Sequence, residues 1–327
     1  MSIDWPEFKN VISAHQKILL TSHIRPDCDA LGSELGMAGV LGALGKDVRI
    51  VNGQSTPPNL AFIDPHQTIR ALHEDVTPAE LSDIELLIIL DTSAWAQLGP
   101  MGDVVRETQA KKIVVDHHVS EDDLGAQPFK NTTAEATGRL VVEAAQCLGV
   151  ALTPDMATAL YAAIATDTGW FRFNSTSSTT MRVGAELIDA GAVPAQIYAQ
   201  LYEQETLGRV KLRGRIQERF VAEMSGRLAH TYVRLDDFET TGSLPSDTED
   251  VINIGLSVLG TEVAVIFVEQ KSGGFKISFR SRCDVDCSQL AEQFGGGGHK
   301  AAAGAFVDGP FADVQARVLD AVREAMR

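Results

Sequence analysis

Lys112-Ile113-Val114-Val115-Asp116-His117-His118 decides how this chain is read: an apolar run of strand length stops at an acid and two imidazoles. Short apolar runs without polar alternation mark strands buried on both faces, which belong in a parallel sheet. The same texture recurs at residues 17–22, 47–52 and 85–90. A helix is expected over 30–44, ending at Gly45, and others over 137–148 and 154–166, where Pro154 suits a first helical turn. Strand and helix alternate, which predicts a doubly wound α/β domain with a mostly parallel sheet.

Acids and imidazoles stand where these strands should stop. His23, Asp27 and Asp29 follow the first, Asp91 the third, and Asp116, His117 and His118 the fourth, while Asp167 ends a helical stretch. One Asp after a strand is ordinary loop composition. Three strand ends carrying such residues, two of them mixing His with Asp, are not. In an open parallel sheet ligands bind beyond the carboxyl ends of the strands, so these side chains are expected to share one crevice. Asp27, Asp29, Asp91 and Asp167 cannot all stay ionised together without compensation. Two divalent cations would balance them, and mixed imidazole and carboxylate donors favour Mn²⁺ over a purely oxygen-liganded Mg²⁺. A metal pair about 3.5–4 Å apart is a recurrent device for phosphoester hydrolysis.

Composition narrows the partners. With 44 acidic against 28 basic side chains, the net charge of −16 argues against binding long duplex nucleic acid. Aromatics are too sparse, at 6%, for the spaced stacking groove of a processive single-strand nuclease. The four cysteines, Cys28, Cys147, Cys283 and Cys287, form neither a disulfide framework nor a complete zinc set. Cys28, between two Asp residues, is read as a spacer. No apolar stretch approaches the ~20 residues of a membrane span. The polar start of the chain, with Pro6, does not resemble a signal peptide. A cytoplasmic protein is expected.

The length of 327 residues allows two domains. The texture changes after Asn174, and a second, smaller α/β domain is expected with strands at 228–234, 263–269 and 275–279. Its helices are expected over 248–259, 288–294 and 311–326. The boundaries read as a metal-binding domain at 1–190, a helical linker at 191–225 and a nucleotide-binding domain at 226–327.

Residues 23–33 (HIRPDCDALGS), 87–93 (LIILDTS), 114–118 (VVDHH) and Asp167-Thr168-Gly169, in this order and spacing, resemble the four motifs of the DHH phosphoesterase superfamily. Residues 279–282 (FRSR) with 295–304 (GGGGHKAAAG) resemble the signature of its DHHA1 domain, and the whole set resembles the nano-RNase and pAp-phosphatase branch. The resemblance implies one Mn²⁺ on His23, Asp27 and Asp91. It implies another on Asp29, Asp91, His117 and Asp167, with Asp91 bridging and Co²⁺ or Mg²⁺ as substitutes in vitro. Asp91, His118 and Asp116 take the catalytic roles. Asp116 orients an imidazole or a water, and His118 faces the substrate phosphate as ligand or proton donor.

Arg280, Ser281, His299 and the Gly297 and Gly298 backbone are implied to grip the nucleotide, in a cleft between the domains. Arg172 is a further candidate contact. Trp170 and Phe171 are expected to pack in the core rather than to stack a base. The implied reaction is hydrolysis of short oligoribonucleotides to nucleoside 5′-monophosphates, and of pAp to AMP plus phosphate, by a hydroxide bridging the two metals. Two readings stay open beside it: linear or cyclic di-AMP as main substrate, and a nucleotide-binding regulator without turnover. The glycine-rich signature argues against a pyrophosphatase. A homodimer is left open.

Overall fold

The computed structural model describes residues 3–119 and 121–327. The first apolar runs become parallel strands β1 (Lys17–Thr21), β2 (Asp47–Asn52), β3 (Ile69–Ala71), β4 (Leu86–Leu90), β5 (Lys111–Asp116) and β6 (Gln127–Lys130). Their order is β3-β2-β1-β4-β5-β6, every neighbouring pair parallel. Alternate residues enter different cores: Ile18, Leu20, Ile88 and Ile113 join one cluster, Leu19, Leu87, Ile89 and Val114 the other. Burial on both faces explains why these strands read as unbroken apolar runs. The sheet is doubly wound, and its order reverses between β1 and β4. That switch point opens a crevice at the carboxyl ends of the strands.

The helix Cys28–Ala43 leaves β1 and lies against the helix Pro154–Asp167. Gly32 makes this approach close. A Cβ there would stand 2.3 Å from the Ala159 carbonyl oxygen, which no side chain tolerates. The absent side chain therefore sets how near Asp29, on the first helix, comes to Asp167, at the end of the second.

Contacts divide the chain into two compact units, Met1–Glu203 and Gln204–Arg327. The second unit holds a mixed sheet of β7 (Val221–Glu223), β8 (Leu228–Val233), β9 (Val263–Glu269), β10 (Phe275–Ser281), β11 (Gly297–His299) and β12 (Ala302–Val307). The order is β11-β12-β10-β9-β8-β7, parallel only at β8–β9. Val263, Val265 and Phe267 share a core with the helix Phe311–Ala325, and Ala264 and Ile266 pack with Leu212 and Ile216 on the opposite face.

Some elements differ from expectation. The stretch expected as one helix over 248–259 splits into a short 3₁₀ turn, Pro245–Thr248, and the helix Ile252–Ser257. Asp250 between them has φ of 62°, outside helical space. The helical stretch after residue 191 is two helices, Pro194–Tyr202 and Leu207–Glu218, followed by β7. Strands β3, β6, β7, β11 and β12 were not anticipated. Part of the glycine run forms the edge strand β11, where a Cβ on Gly298 would meet the Ala302 carbonyl at 2.7 Å. No helix among the described residues is long and apolar enough to cross a membrane.

Candidate metal centre and active site

Each strand end at the switch point delivers one part of the site. After β1, His23 Nδ1 lies 3.0 Å from the Ile24 carbonyl, leaving Nε2 to face Asp27 Oδ1 at 3.9 Å and Asp91 Oδ2 at 3.3 Å. Fixing one ring nitrogen on a carbonyl while the other faces acids is how metal-binding imidazoles are oriented. Asp27 caps the helix Cys28–Ala43, its Oδ1 accepting from the backbone N–H groups of Asp29 and Ala30. The cap fixes the carboxylate and leaves Oδ2 available.

Asp29 is 1% exposed, yet it is a carboxylate. The helix Thr137–Leu148 aims its amino end at it: Thr137 N–H donates to Oδ2 at 2.7 Å and Gly138 N–H to Oδ1 at 2.8 Å. Such charge-assisted bonds contribute about 1.5–3 kcal/mol each, and the helix end adds partial positive charge. They do not suffice. Burial first, then the charges of Asp91 and Asp167, hold the Asp29 carboxyl well above the usual carboxylate range. Asp167 is likewise raised, by burial and by Asp91 and Asp27.

Asp91 follows β4 with φ of 61°, a conformation rare for any residue but glycine and often kept at functional sites. Its N–H donates to the Val115 carbonyl, tying the strained turn to β5. Its two oxygens face different partners: Oδ2 is 3.3 Å from His23 Nε2, and Oδ1 is 3.5 Å from His117 Nε2 and accepts from Thr137 Oγ1. His117 Nδ1 sits on the Ala134 carbonyl, and its Nε2 lies 3.7 Å from Asp29 and 3.6 Å from Asp167.

Asp116 is buried at the end of β5. Its Oδ1 accepts from both the backbone N–H and Nδ1 of His118 at 2.9 Å, and its Oδ2 accepts from Ser93 Oγ and lies 3.2 Å from Lys130 Nζ. Burial opposes the charged form, but the hydrogen bonds from His118 and Ser93 hold Asp116 down at about 2. In turn Asp116 raises the pKa of His118, whose ring is 43% exposed and turns Nε2 away from the carboxylate. Burial also opposes charge on His23, yet Asp91, the Ile24 carbonyl and Asp27 raise its pKa to about 9. A divalent ion there would displace that proton.

Three groups of donors have atoms close enough to hold a cation: His23, Asp27 and Asp91; Asp29, His117 and Asp167; and Asp91, His117 and His118. The donor chemistry fits one or more divalent cations. Buried acids push each other's pKa upward, and the imidazoles present nitrogens already oriented by their other ring atom. All six expected metal-binding residues meet in this crevice. Cys28 is in none of these groups; burial first, then the neighbouring Asp27, pushes its thiol up to about 12.

Several supporting residues escaped the sequence reading. Thr137 and Gly138 reach Asp29 from more than a hundred residues away, and Lys130 comes from an unanticipated edge strand. Ser93 stood inside a motif and was readable there. Glu34 lies wholly buried two helical turns beyond Asp27, accepting from Asn52 Nδ2, and burial pushes its carboxyl to about 7.

In the second unit, Arg280 on β10 and His299 on β11 both pair across from Ala302, so they share one face with only that small residue between them. Ser281 does not join them: it lies on the opposite, core-facing side, its hydroxyl bonded to Cys283. Gly297 and Gly298 are exposed on the edge strand. Arg172, in the first unit, is exposed, its Nε donating to the Gly169 carbonyl.

Comparison with known proteins gives the family. Residues 17–164 match the DHH family, N-terminal domain, and residues 232–327 match the DHHA1 domain. The bifunctional oligoribonuclease and PAP phosphatase NrnA of Thermus thermophilus is 31% identical over 311 residues, 94% of this chain and 90% of that protein. Its namesake from Bacillus subtilis is 29% identical over 304 residues, 92% of each. The crystal structure of an exopolyphosphatase-related protein from Bacteroides fragilis shares the fold, with a TM-score of 0.80 at 24% identity over 98% of this chain and 94% of that one. The chain belongs to the DHH phosphoesterases that carry a DHHA1 domain, in the branch of the bifunctional oligoribonucleases and PAP phosphatases.

Proposed function

We propose that this protein is a Mn²⁺-dependent phosphoesterase that hydrolyses short oligoribonucleotides to nucleoside 5′-monophosphates and pAp to AMP plus phosphate. The observation that carries the reading is the divided carboxylate of Asp91, one oxygen toward His23 and the other toward His117. In this reading His23, Asp27 and Asp91 hold one cation, and Asp29, Asp91, His117 and Asp167 hold a second. When bound, the cations would activate water and offset charge on the phosphoryl oxygens.

The chain's own residues supply the rest. Both substrates lose the bond between phosphorus and a ribose 3′-oxygen, so one site serves both. The leaving 3′-oxygen needs a proton. His118 is suited to give it from Nε2, because Asp116 holds Nδ1 and raises the ring's pKa, favouring the charged form. Lys130 and Ser93 hold Asp116 in turn. In the second unit, Arg280 and His299 bind the nucleotide's phosphate, where a guanidinium can fork onto two oxygens. Gly297 and Gly298 let backbone N–H groups approach it.

The test is a turnover panel on the purified protein with Mn²⁺. It should contain pApA, pAp, linear and cyclic di-AMP, pyrophosphate and a 20-residue oligoribonucleotide. Turnover of pApA and pAp well above the 20-mer is expected. Preference for cyclic di-AMP, or binding without turnover of any member, would contradict the proposal.

A further inference from the structure

The chain has four tyrosines, and three of them gather around Trp170. Trp170 packs inward against the buried Tyr161, at 6.2 Å between ring centres, and outward against Tyr198 at 5.0 Å and Tyr202 at 5.8 Å. Tyr198 and Tyr202 stand one helical turn apart at the end of the helix Pro194–Tyr202, with ring centres 4.9 Å from each other. They are 39% and 46% exposed, in a protein that otherwise has few aromatics. An exposed pair of large rings on a rigid support offers stacking faces at small entropic cost.

The cluster is tied to the metal centre through the chain that follows Asp167. Trp170 comes three residues after Asp167. Gly169, Trp170 and Phe171 all have positive φ, and the Trp170 N–H donates to the Ala165 carbonyl, so the chain doubles back directly after the acid. Burial raises the Tyr202 phenol, followed by the charges of Cys28 and Tyr198, while Arg172 lowers it. Arg172, two residues beyond Trp170 in the chain, is exposed, its Nε donating to the Gly169 carbonyl.

Resting on the nucleotide reading above, we propose that Tyr198 and Tyr202, backed by Trp170, form a stacking wall for the nucleobase of the nucleotide whose phosphate is cleaved. Arg172 stands beside the wall as the cation for its phosphate or base. A protein partner fits less well, because an apolar protein surface would not explain the exposed guanidinium of Arg172 so soon after Trp170 in the chain. A nucleotide supplies both a flat ring and an anion. Base stacking on aromatic side chains tolerates any base, which suits a substrate defined by its length rather than its sequence.

The test compares pAp with its base-free analogue, the same ribose bisphosphate with hydrogen in place of adenine, on the full-length Mn²⁺ enzyme. Tyr202→Ala should raise KM for pAp about tenfold with kcat little changed, a shift within the range for losing one stacked base. The analogue's KM should not move. Tyr198→Ala should act in the same direction, Tyr202→Phe should restore the KM, and Tyr202→Leu should not. Equal shifts on both substrates, no shift on pAp, or rescue by Leu would each overturn the wall. Wild-type enzyme that turns over pAp beside an unaffected Tyr202→Ala defeats the stacking proposal alone. Wild-type enzyme that turns over neither pAp nor pApA defeats the functional reading and the stacking proposal with it.

Discussion

The crevice of the first unit and the glycine-rich edge of the second hold their polar residues in opposite ways. Asp29, Asp91 and Asp116 are buried, and each accepts defined donors: backbone amides for Asp29, a threonine hydroxyl for Asp91, and a serine and an imidazole for Asp116. Gly297, Gly298 and His299 lie exposed on an edge strand, and Arg280 spends one nitrogen on its neighbour's carbonyl. Chemistry requires donors and charges fixed before the substrate arrives. Recognition of a mobile phosphate tolerates an open, adjustable surface. Mutations in the crevice should therefore act on kcat, and those on the edge on KM.

The largest effect is expected at Asp91. Asp91→Asn should lower kcat for pApA on the order of 10³-fold, with the thermal melting curve little changed. Near-normal turnover would remove the shared-ligand role. Asp116→Asn comes next, at about 10–100-fold in kcat, the usual cost of losing a residue that orients a site group. A change confined to KM would place Asp116 with substrate binding instead.

Asp116 also has a stability signature. Its folded-state pKa is depressed to about 2, so its contribution is complete above the unfolded value near 3.8 and disappears as pH falls through the folded one. The difference amounts to about 2 kcal/mol. Denaturant titrations from pH 5 to pH 2 should show that loss in the wild type and not in Asp116→Asn. Parallel curves would mean that the carboxylate contributes nothing net. Gly32→Ala should cost about 1–3 kcal/mol in the same assay by forcing two packed helices apart. It should also lower kcat, because Asp29 and Asp167 ride on those helices. The smallest effect is expected at the edge: Arg280→Ala should raise KM for pAp by about fivefold to tenfold while sparing kcat.

The crevice was legible in the sequence because burial on both sheet faces writes a strand as an unbroken apolar run. The residue where the run stops then marks the strand's end. His23, Asp91 and the Asp116–His118 segment could be placed together by topology alone. Their supports could not. Nothing local to Thr137 or Gly138 says that their N–H groups point at Asp29, since that contact depends on how two distant helices pack. β6 escaped notice because it is short and contains Pro128, tolerable only where a strand lies at the sheet edge. Tyr198 and Tyr202 read as part of a polar helical stretch, and only the backbone turn after Asp167 brings them beside Trp170. The second unit was harder still: Arg280 and Ser281 looked like one contact pair, but adjacent residues of a strand face opposite ways.

Metal stoichiometry with electron paramagnetic resonance tests the central role of Asp91 most directly. Wild-type protein loaded with Mn²⁺ should bind two ions per chain and show the spectrum of a spin-coupled pair. Asp91→Ala should lose the coupled signal, and His23→Ala should lose one ion while keeping the other. A single ion in the wild type, or two ions without coupling that survive Asp91→Ala unchanged, would contradict a carboxylate shared between two metals.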